Sequence, residues 1–217
     1  VIFADLSGFT AMAEQLSLKG AEGAEELARS LDSFFESLFE VIADFGGQVI
    51  KIAGDAPFVV WKAEEDLAST VALAARCALA MSKHTLGPSS LRIGLGAGEV
   101  VLASVGGVRD RWEFFLAGQP LAQVAQAERL AEPGQVVVSP EARLHLGLDY
   151  AFAGPVLVDG PKQTTRLVPA YGDHPLPRGY VDAGVLSRLQ AGGLALYELG
   201  RGPEAQAMLC ELPGLWR

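Results

Sequence analysis

Two aspartates hold positions from which side chains can do chemistry. Asp5 ends the apolar run Val1-Ile2-Phe3-Ala4 and opens the turn-like stretch Leu6-Ser7-Gly8. Asp55 follows Val49-Ile50-Lys51-Ile52-Ala53-Gly54, again at the end of an apolar run and beside a glycine. If the two runs are adjacent strands of one sheet, both carboxylates reach the same rim. A pair of hard anionic oxygen ligands there suits Mg²⁺ or Mn²⁺ carrying nucleotide phosphates. The small residues after Asp5 leave room for backbone N–H groups to close on a triphosphate. Taken singly, each aspartate is an ordinary turn or helix-cap residue. It is the pair that points to metal.

The elements that must position them can be read from periodicity. Residues 1–6 form a β-branched and aromatic run, the pattern of a central strand. Over 21–45, Leu27, Leu31, Phe34, Leu38, Val41, Ile42 and Phe45 recur at helical spacing, and Gly46-Gly47 supplies the stop. The phenylalanines of this stretch read as core. Strands over 48–53 and 57–62 would place Asp55 at the tip of a hairpin. An Ala-rich helix follows over 66–83, then strands near 91–97, 99–105 and 112–117. A helix over 119–131 ends at Glu132-Pro133-Gly134, before a short strand at 136–138 and a short helix over 140–146. The order β-α-β-β-α-β in the first 105 residues predicts an α+β fold of ferredoxin-like, split-βαβ plan, with a mostly antiparallel sheet flanked by helices. Closing strands are expected within 150–172. A boundary over 171–178 divides a domain of residues 1–172 from an extension of 173–217, in which only 180–199 has weak helical character.

The composition narrows the partners. A formal charge of −9 argues against a nucleic-acid backbone, which requires clustered cations. No apolar stretch is long enough to cross a bilayer and no signal peptide is present, so membrane insertion is not expected. The two cysteines, Cys77 and Cys210, offer no disulfide framework or zinc spacing, which fits a cytoplasmic protein. The chain opens without Met and inside a strand-like run, which reads as a piece of a longer polypeptide. His84, His145 and His174 are scattered and have no ligand-spaced companions. The Gly94-x-Gly96-x-Gly98 run lacks the remaining features of a dinucleotide fingerprint and reads instead as a strand approached closely by another backbone.

The phrase Phe3-Ala4-Asp5-Leu6-Ser7-Gly8-Phe9-Thr10, with Gly46-Gly47-x-Val-Ile-Lys51-x-x-Gly54-Asp55, resembles the class III nucleotide cyclases. Three further phrases follow in register: 91–100, Gly118-Gln119-Pro120-Leu121 and Ala131-Glu132-Pro133-Gly134-Gln135-Val136. The resemblance covers roughly residues 1–170. It implies that Asp5 and Asp55 hold two divalent ions, Mg²⁺ or Mn²⁺, with the Leu6 carbonyl as an added ligand. It also implies that Ser7, Gly8, Phe9 and Thr10 cradle the terminal phosphates at a helix N-terminus, and that Arg92 contacts phosphate. The reaction implied is ATP to 3′,5′-cyclic AMP and pyrophosphate.

A second set of family residues is missing. The helix that usually reads Val-Asn-x-Ala-Ala-Arg is here Leu121-Ala122-Gln123-Val124-Ala125-Gln126. Ala122 thus stands for the Asn and Gln126 for the Arg. The purine-selecting positions fall on Val49 and Phe115, so the choice of ATP over GTP belongs to residues of a partner. Gln cannot supply the charge of a transition-state Arg, a group that contributes on the order of 10³–10⁵ in rate in comparable phosphoryl transfers. Arg129, one helical turn further on, would stand in only if the helix slipped.

The chain therefore resembles the first, metal-binding catalytic domain of the soluble, bicarbonate-responsive adenylyl cyclases and their bacterial relatives. As such it is expected to be inactive as a lone domain or homodimer, and to need a second cyclase domain carrying the Asn/Arg set. Lys51 matches one of two anion-binding positions in that branch, but the companion Arg falls on Ala125. Lys51 as an exposed strand lysine paired to an acid is an equal reading. A non-catalytic cyclase-homology domain that binds nucleotide or anion, or pairs with another module, is the alternative function. A related palm-type enzyme is a third, although the Gly-Gly-acidic signature of diguanylate cyclases is absent.

Overall fold

The computed structural model describes residues 1–63, 66–108 and 111–161. They contain β1 (Ile2–Leu6), α1 (Phe9–Ser17), α2 (Ala21–Asp44), β2 (Gln48–Ala53), β3 (Ala56–Val60), α3 (Leu67–Met81), β4 (Thr85–Leu86) and β5 (Ser89–Leu95). The chain continues through β6 (Val101–Val108), β7 (Arg111–Ala117), α4 (Gln119–Leu130), β8 (Val136–Val138), α5 (Pro140–Arg143), β9 (Ala151–Ala153) and β10 (Val156–Asp159). One sheet runs in the order β2-β3-β1-β5-β8-β10-β9, with β4 paired to β5 beside that path. Its pairs are antiparallel except β5 with β8. The central order β2-β3-β1-β5 is that of the expected split βαβ, and the fold is α+β. Strands β6 and β7 form a separate antiparallel hairpin.

Alternation along β1 sorts its side chains between the two faces. Ile2, Ala4 and Leu6 are buried, while Phe3 and Asp5 are half-buried. The buried set shares its face with Leu91, Ile93 and Leu95 of β5, each fully buried. This core is completed by the apolar stripe of α2, where Leu31, Phe34, Phe35, Leu38 and Ile42 are buried, and by the Ala-rich face of α3. Cys77 is part of that α3 face and fully buried. Asp66 caps α3 by accepting from the N–H groups of Ala68 and Ser69, at 3.0 Å each.

Helix α4 lies on the opposite face, over β5. It can do so because Gly94 has no side chain. A Cβ there would stand 2.2 Å from the Val124 carbonyl oxygen and 2.8 Å from the Glu128 nitrogen. The glycine-rich run is thus a close helix–strand contact and no dinucleotide fingerprint.

Several boundaries differ from expectation. The segment after Gly8 forms α1, a helix too short for its periodicity to show beside α2. The helix expected over 140–146 stops at Arg143, because Leu144 and Leu148 are exposed and no buried stripe remains to extend it. Closing strands do appear, as β9 and β10. The expected domain boundary, the extension of 173–217 and Cys210 lie outside the described residues. Among the described residues, no helix is long and apolar enough to cross a membrane.

Candidate functional site

Strand direction brings the charges together. Because β1 is antiparallel to both neighbours, its C-terminal end lies beside the starts of β3 and β5. Asp5 is the fourth residue of β1 and pairs across the ladder with Arg92, the fourth of β5. Asp55 completes the two-residue turn Gly54-Asp55 that joins β2 to β3. Its carboxyl is pushed above the usual carboxylate range, first by burial and then by the negative charge of Asp5, against a downward pull from its own backbone N–H and from Arg92. The register of β1 with β3 therefore puts both carboxylates at one rim of the sheet.

Arg92 is the hinge of the cluster. Directly paired residues share a face, so Arg92 and Asp5 both project to the side covered by α4. Its Nη2 hydrogen-bonds the Asp5 carboxylate and stands 3.0 Å from Oε1 of Glu128, a charge contact whose angle falls short of a hydrogen bond. The Asp5 bond is the main cause of the guanidinium pKa rising above its ordinary value. Glu128 is nearly buried, at 7% exposure, within the apolar stripe Val124, Ala127 and Ala131. Burial, then the charge of Asp5, pushes its carboxyl up, while Arg92 holds it down. Sequence reasoning missed Glu128. The legible signal was an acid at a core position of an otherwise apolar helix stripe.

The turn after β1 sorts its donors. Ser7 donates both its N–H, at 3.0 Å, and its hydroxyl, at 2.7 Å, to the Ser90 carbonyl. Ser7 therefore latches the turn onto β5, and its own donors are occupied. Gly8 takes the left-handed conformation, φ 77°, that few side chains tolerate. That conformation turns the chain sharply into α1, whose N-terminus carries no side-chain cap. Its first N–H groups, those of Phe9 and Thr10 among them, have no partner within the helix and present the positive end of its dipole. Gly8 and Thr10 are exposed and Phe9 is half-buried.

Lys51 is exposed on β2 opposite Phe58, which itself stacks on Phe3 with ring centroids 4.4 Å apart. Among the described residues it has no ion pair, so the acid of the simpler reading is not found there. On α4, Ala122, Gln126 and Arg129 are exposed and lie along one stripe at helical spacing. Ala125 is half-buried beside it. Phe115 of the β6–β7 hairpin is 55% exposed.

Among the described residues, no group of three or more His, Cys, Asp or Glu side chains is arranged to hold a metal. The acidic donors at the rim are two, Asp5 and Asp55. Their fit to a hard divalent cation rests on donor type and on mutual repulsion. Both are carboxylates, and a dication would offset the burial of the Asp55 carboxyl, which is the main cause of its raised pKa, and the lesser repulsion from Asp5.

The comparisons agree with this architecture. The family model described as "Adenylate and Guanylate cyclase catalytic domain" matches residues 1–168. Adenylate cyclase type 10 of Rattus norvegicus is 32% identical over 152 residues, which cover 64% of this chain and 9% of that protein. An uncharacterized protein of Mycobacterium tuberculosis is 28% identical over 182 residues, covering 77% of this chain and 32% of that one. The chain thus spans about a tenth of the length of the type 10 cyclases it matches. Among solved structures, the adenylyl cyclase CyaB from P. aeruginosa superposes with a TM-score of 0.59 at 20% identity, covering 74% of this chain and 93% of that one. The guanylate cyclase domain of RhGC from Catenaria anguillulae, in complex with GTP, gives 0.58 at 19% identity, covering 69% and 82%. These two show the fold. With the family model spanning most of the chain, the sheet order has its explanation: this protein belongs to the adenylate and guanylate cyclase catalytic-domain family, a class III cyclase domain.

Proposed function

We propose that the chain is the metal-bearing half of an adenylyl cyclase, forming 3′,5′-cyclic AMP and pyrophosphate from ATP when a second cyclase domain completes the site. One observation carries this reading: Asp5, near the end of β1, and Asp55, in the turn before β3, lie at one rim of the sheet beside an uncapped helix N-terminus, while α4 presents Ala122 and Gln126 on its exposed stripe. The chain has the phosphate end of a nucleotide site and lacks the groups that would complete it.

Asp5, Asp55 and the Leu6 carbonyl would hold two divalent ions, Mg²⁺ or Mn²⁺. Those ions would acidify the ribose 3′-hydroxyl and neutralise the triphosphate. The N–H groups at Gly8, Phe9 and Thr10 would receive the terminal phosphates, aided by the α1 dipole. Ser7 would serve by fixing the turn that aims them. Arg92 would contribute a cation to the phosphates once Asp5 no longer needs it. The ribose 3′-oxygen attacks the α-phosphorus, the bond to the bridging oxygen breaks, and pyrophosphate leaves. The purine and the transition-state charge fall to the partner's Asn/Arg set. Lys51, exposed and without an ion pair among the described residues, is the candidate for a regulatory anion.

The 217-residue chain, mixed with a cyclase domain that carries the Asn/Arg set but lacks its own aspartate pair, should make cyclic AMP in a Mn²⁺- or Mg²⁺-dependent way. Asp5→Ala should abolish that activity. Retained activity in Asp5→Ala would refute the assignment. The losses at Ala122 and Gln126 also favour a second reading, a cyclase-homology domain that binds metal and nucleotide without turnover. It would bind ATP in the same mixture and yield no product.

A further inference from the structure

Arg92 stands where a cation would act on Asp5. Its Nη2 is bonded to Oδ2 of the Asp5 carboxylate, so a metal ion that takes this carboxylate competes with a guanidinium for it. A displaced arginine beside a dication is repelled by it, and leaving a cation unpaired in a half-buried place costs free energy. The structure offers it somewhere to go. Glu128 Oε1 is 3.0 Å from the same Nη2 and has no hydrogen-bond partner among the described residues. The Glu128 side chain is 9% exposed, against 25% for Asp5 and 34% for Arg92. Its helix is fixed by the close contact of α4 with β5 at Gly94. The group holds three carboxylates, at Asp5, Asp55 and Glu128, and one guanidinium, a net formal charge of −2 that one divalent ion would neutralise.

We propose that Glu128 is a positioning residue that takes Arg92 off Asp5 when a divalent cation enters. The guanidinium keeps the cation's place in the empty domain and is then handed to a neighbouring buried carboxylate. This rests on the reading of Asp5 and Asp55 as metal ligands. Glu128 need touch neither metal nor nucleotide. Its carboxylate lowers the cost of moving Arg92, and it then holds the guanidinium near the rim, where phosphates would arrive. Without Glu128, Asp5 is the one carboxylate among the described residues that pairs with Arg92, which then competes with the metal at full strength.

The test is Mn²⁺ binding to the 217-residue chain without nucleotide, read from the loss of the free-ion EPR signal. Glu128→Gln should weaken binding by about three- to tenfold, the span of a partly buried ion pair. Arg92→Gln should tighten it by a similar factor, since the competitor is gone. The double variant should bind like Arg92→Gln, because Glu128 acts through Arg92. A double variant as weak as Glu128→Gln would make Glu128 a structural or direct electrostatic residue and overturn the proposal. Asp5→Asn separates the two levels. If it leaves Mn²⁺ binding unchanged, the metal reading fails. If it abolishes binding while Glu128→Gln has no effect, the metal reading stands and the hand-over fails. Should Glu128→Gln not fold, Arg92→Gln decides alone, and unchanged or weaker Mn²⁺ binding refutes the competition.

Discussion

Gly94→Ala tests the contact that holds the cluster together. An added methyl would sit 2.2 Å from the Val124 carbonyl oxygen and 2.8 Å from the Glu128 nitrogen. Carbon–oxygen contacts settle near ~3.3 Å, so α4 would have to retreat by roughly 1 Å. Both clashing atoms belong to helix backbone, and no rotamer change can relieve them. Overpacking of this kind costs about 1–3 kcal/mol. Replacing a strand glycine returns roughly 0.5–1 kcal/mol of backbone entropy. The net is a loss of about 1–2 kcal/mol, or roughly 2–8 °C in Tm for a chain of this size. Urea unfolding should show a lower midpoint at unchanged slope, since the surface exposed on unfolding is the same. The retreat also lifts Glu128 from Arg92, so Mn²⁺ binding should weaken in the direction of Glu128→Gln. A variant as stable as the parent would refute the close approach and, with it, the placement of Glu128 over β5.

Three further predictions concern charge and packing. Asp55 has its pKa raised in the folded state, so its contribution is present below the ordinary carboxylate range and lost as pH climbs through the raised value. Metal-free Asp55→Asn should therefore be more stable than the parent at neutral pH, by up to about 1 kcal/mol. Added Mn²⁺ should reverse that order by raising the parent's Tm alone, and a less stable metal-free variant would contradict it. Ala122→Asn with Gln126→Arg alters two exposed positions on α4 and should leave unfolding free energy within about 0.5 kcal/mol. A larger loss would show that the stripe is not free. Tyr150→Phe removes the hydroxyl that donates to the Ala72 carbonyl at 2.9 Å and should cost about 1 kcal/mol by denaturant titration. No loss would show that this bond adds nothing to stability.

Much of the scaffold was legible because local pattern and burial agree. The apolar stripe of α2 and the Ala-rich face of α3 bury most of the residues their periodicity selects, and the hairpin around Gly54-Asp55 forms where its turn chemistry places it. Strand alternation tells which residues share a face but not whether that face is covered, and Phe115 is left 55% exposed. The end of α5 was misplaced for a related reason: propensity extends a helix, but only burial justifies the extension.

By itself, the sequence determined the element order and the two aspartates at the ends of apolar runs, because strand and turn chemistry are local. It also determined which family residues are missing from α4, because identity at a position needs no coordinates. The tertiary structure alone decided that Arg92 bridges Asp5 and Glu128, and that Ser7 spends its donors on Ser90. Those facts depend on strand register and on how near one helix comes to one glycine. Both are set by non-local packing, and no window of sequence contains them.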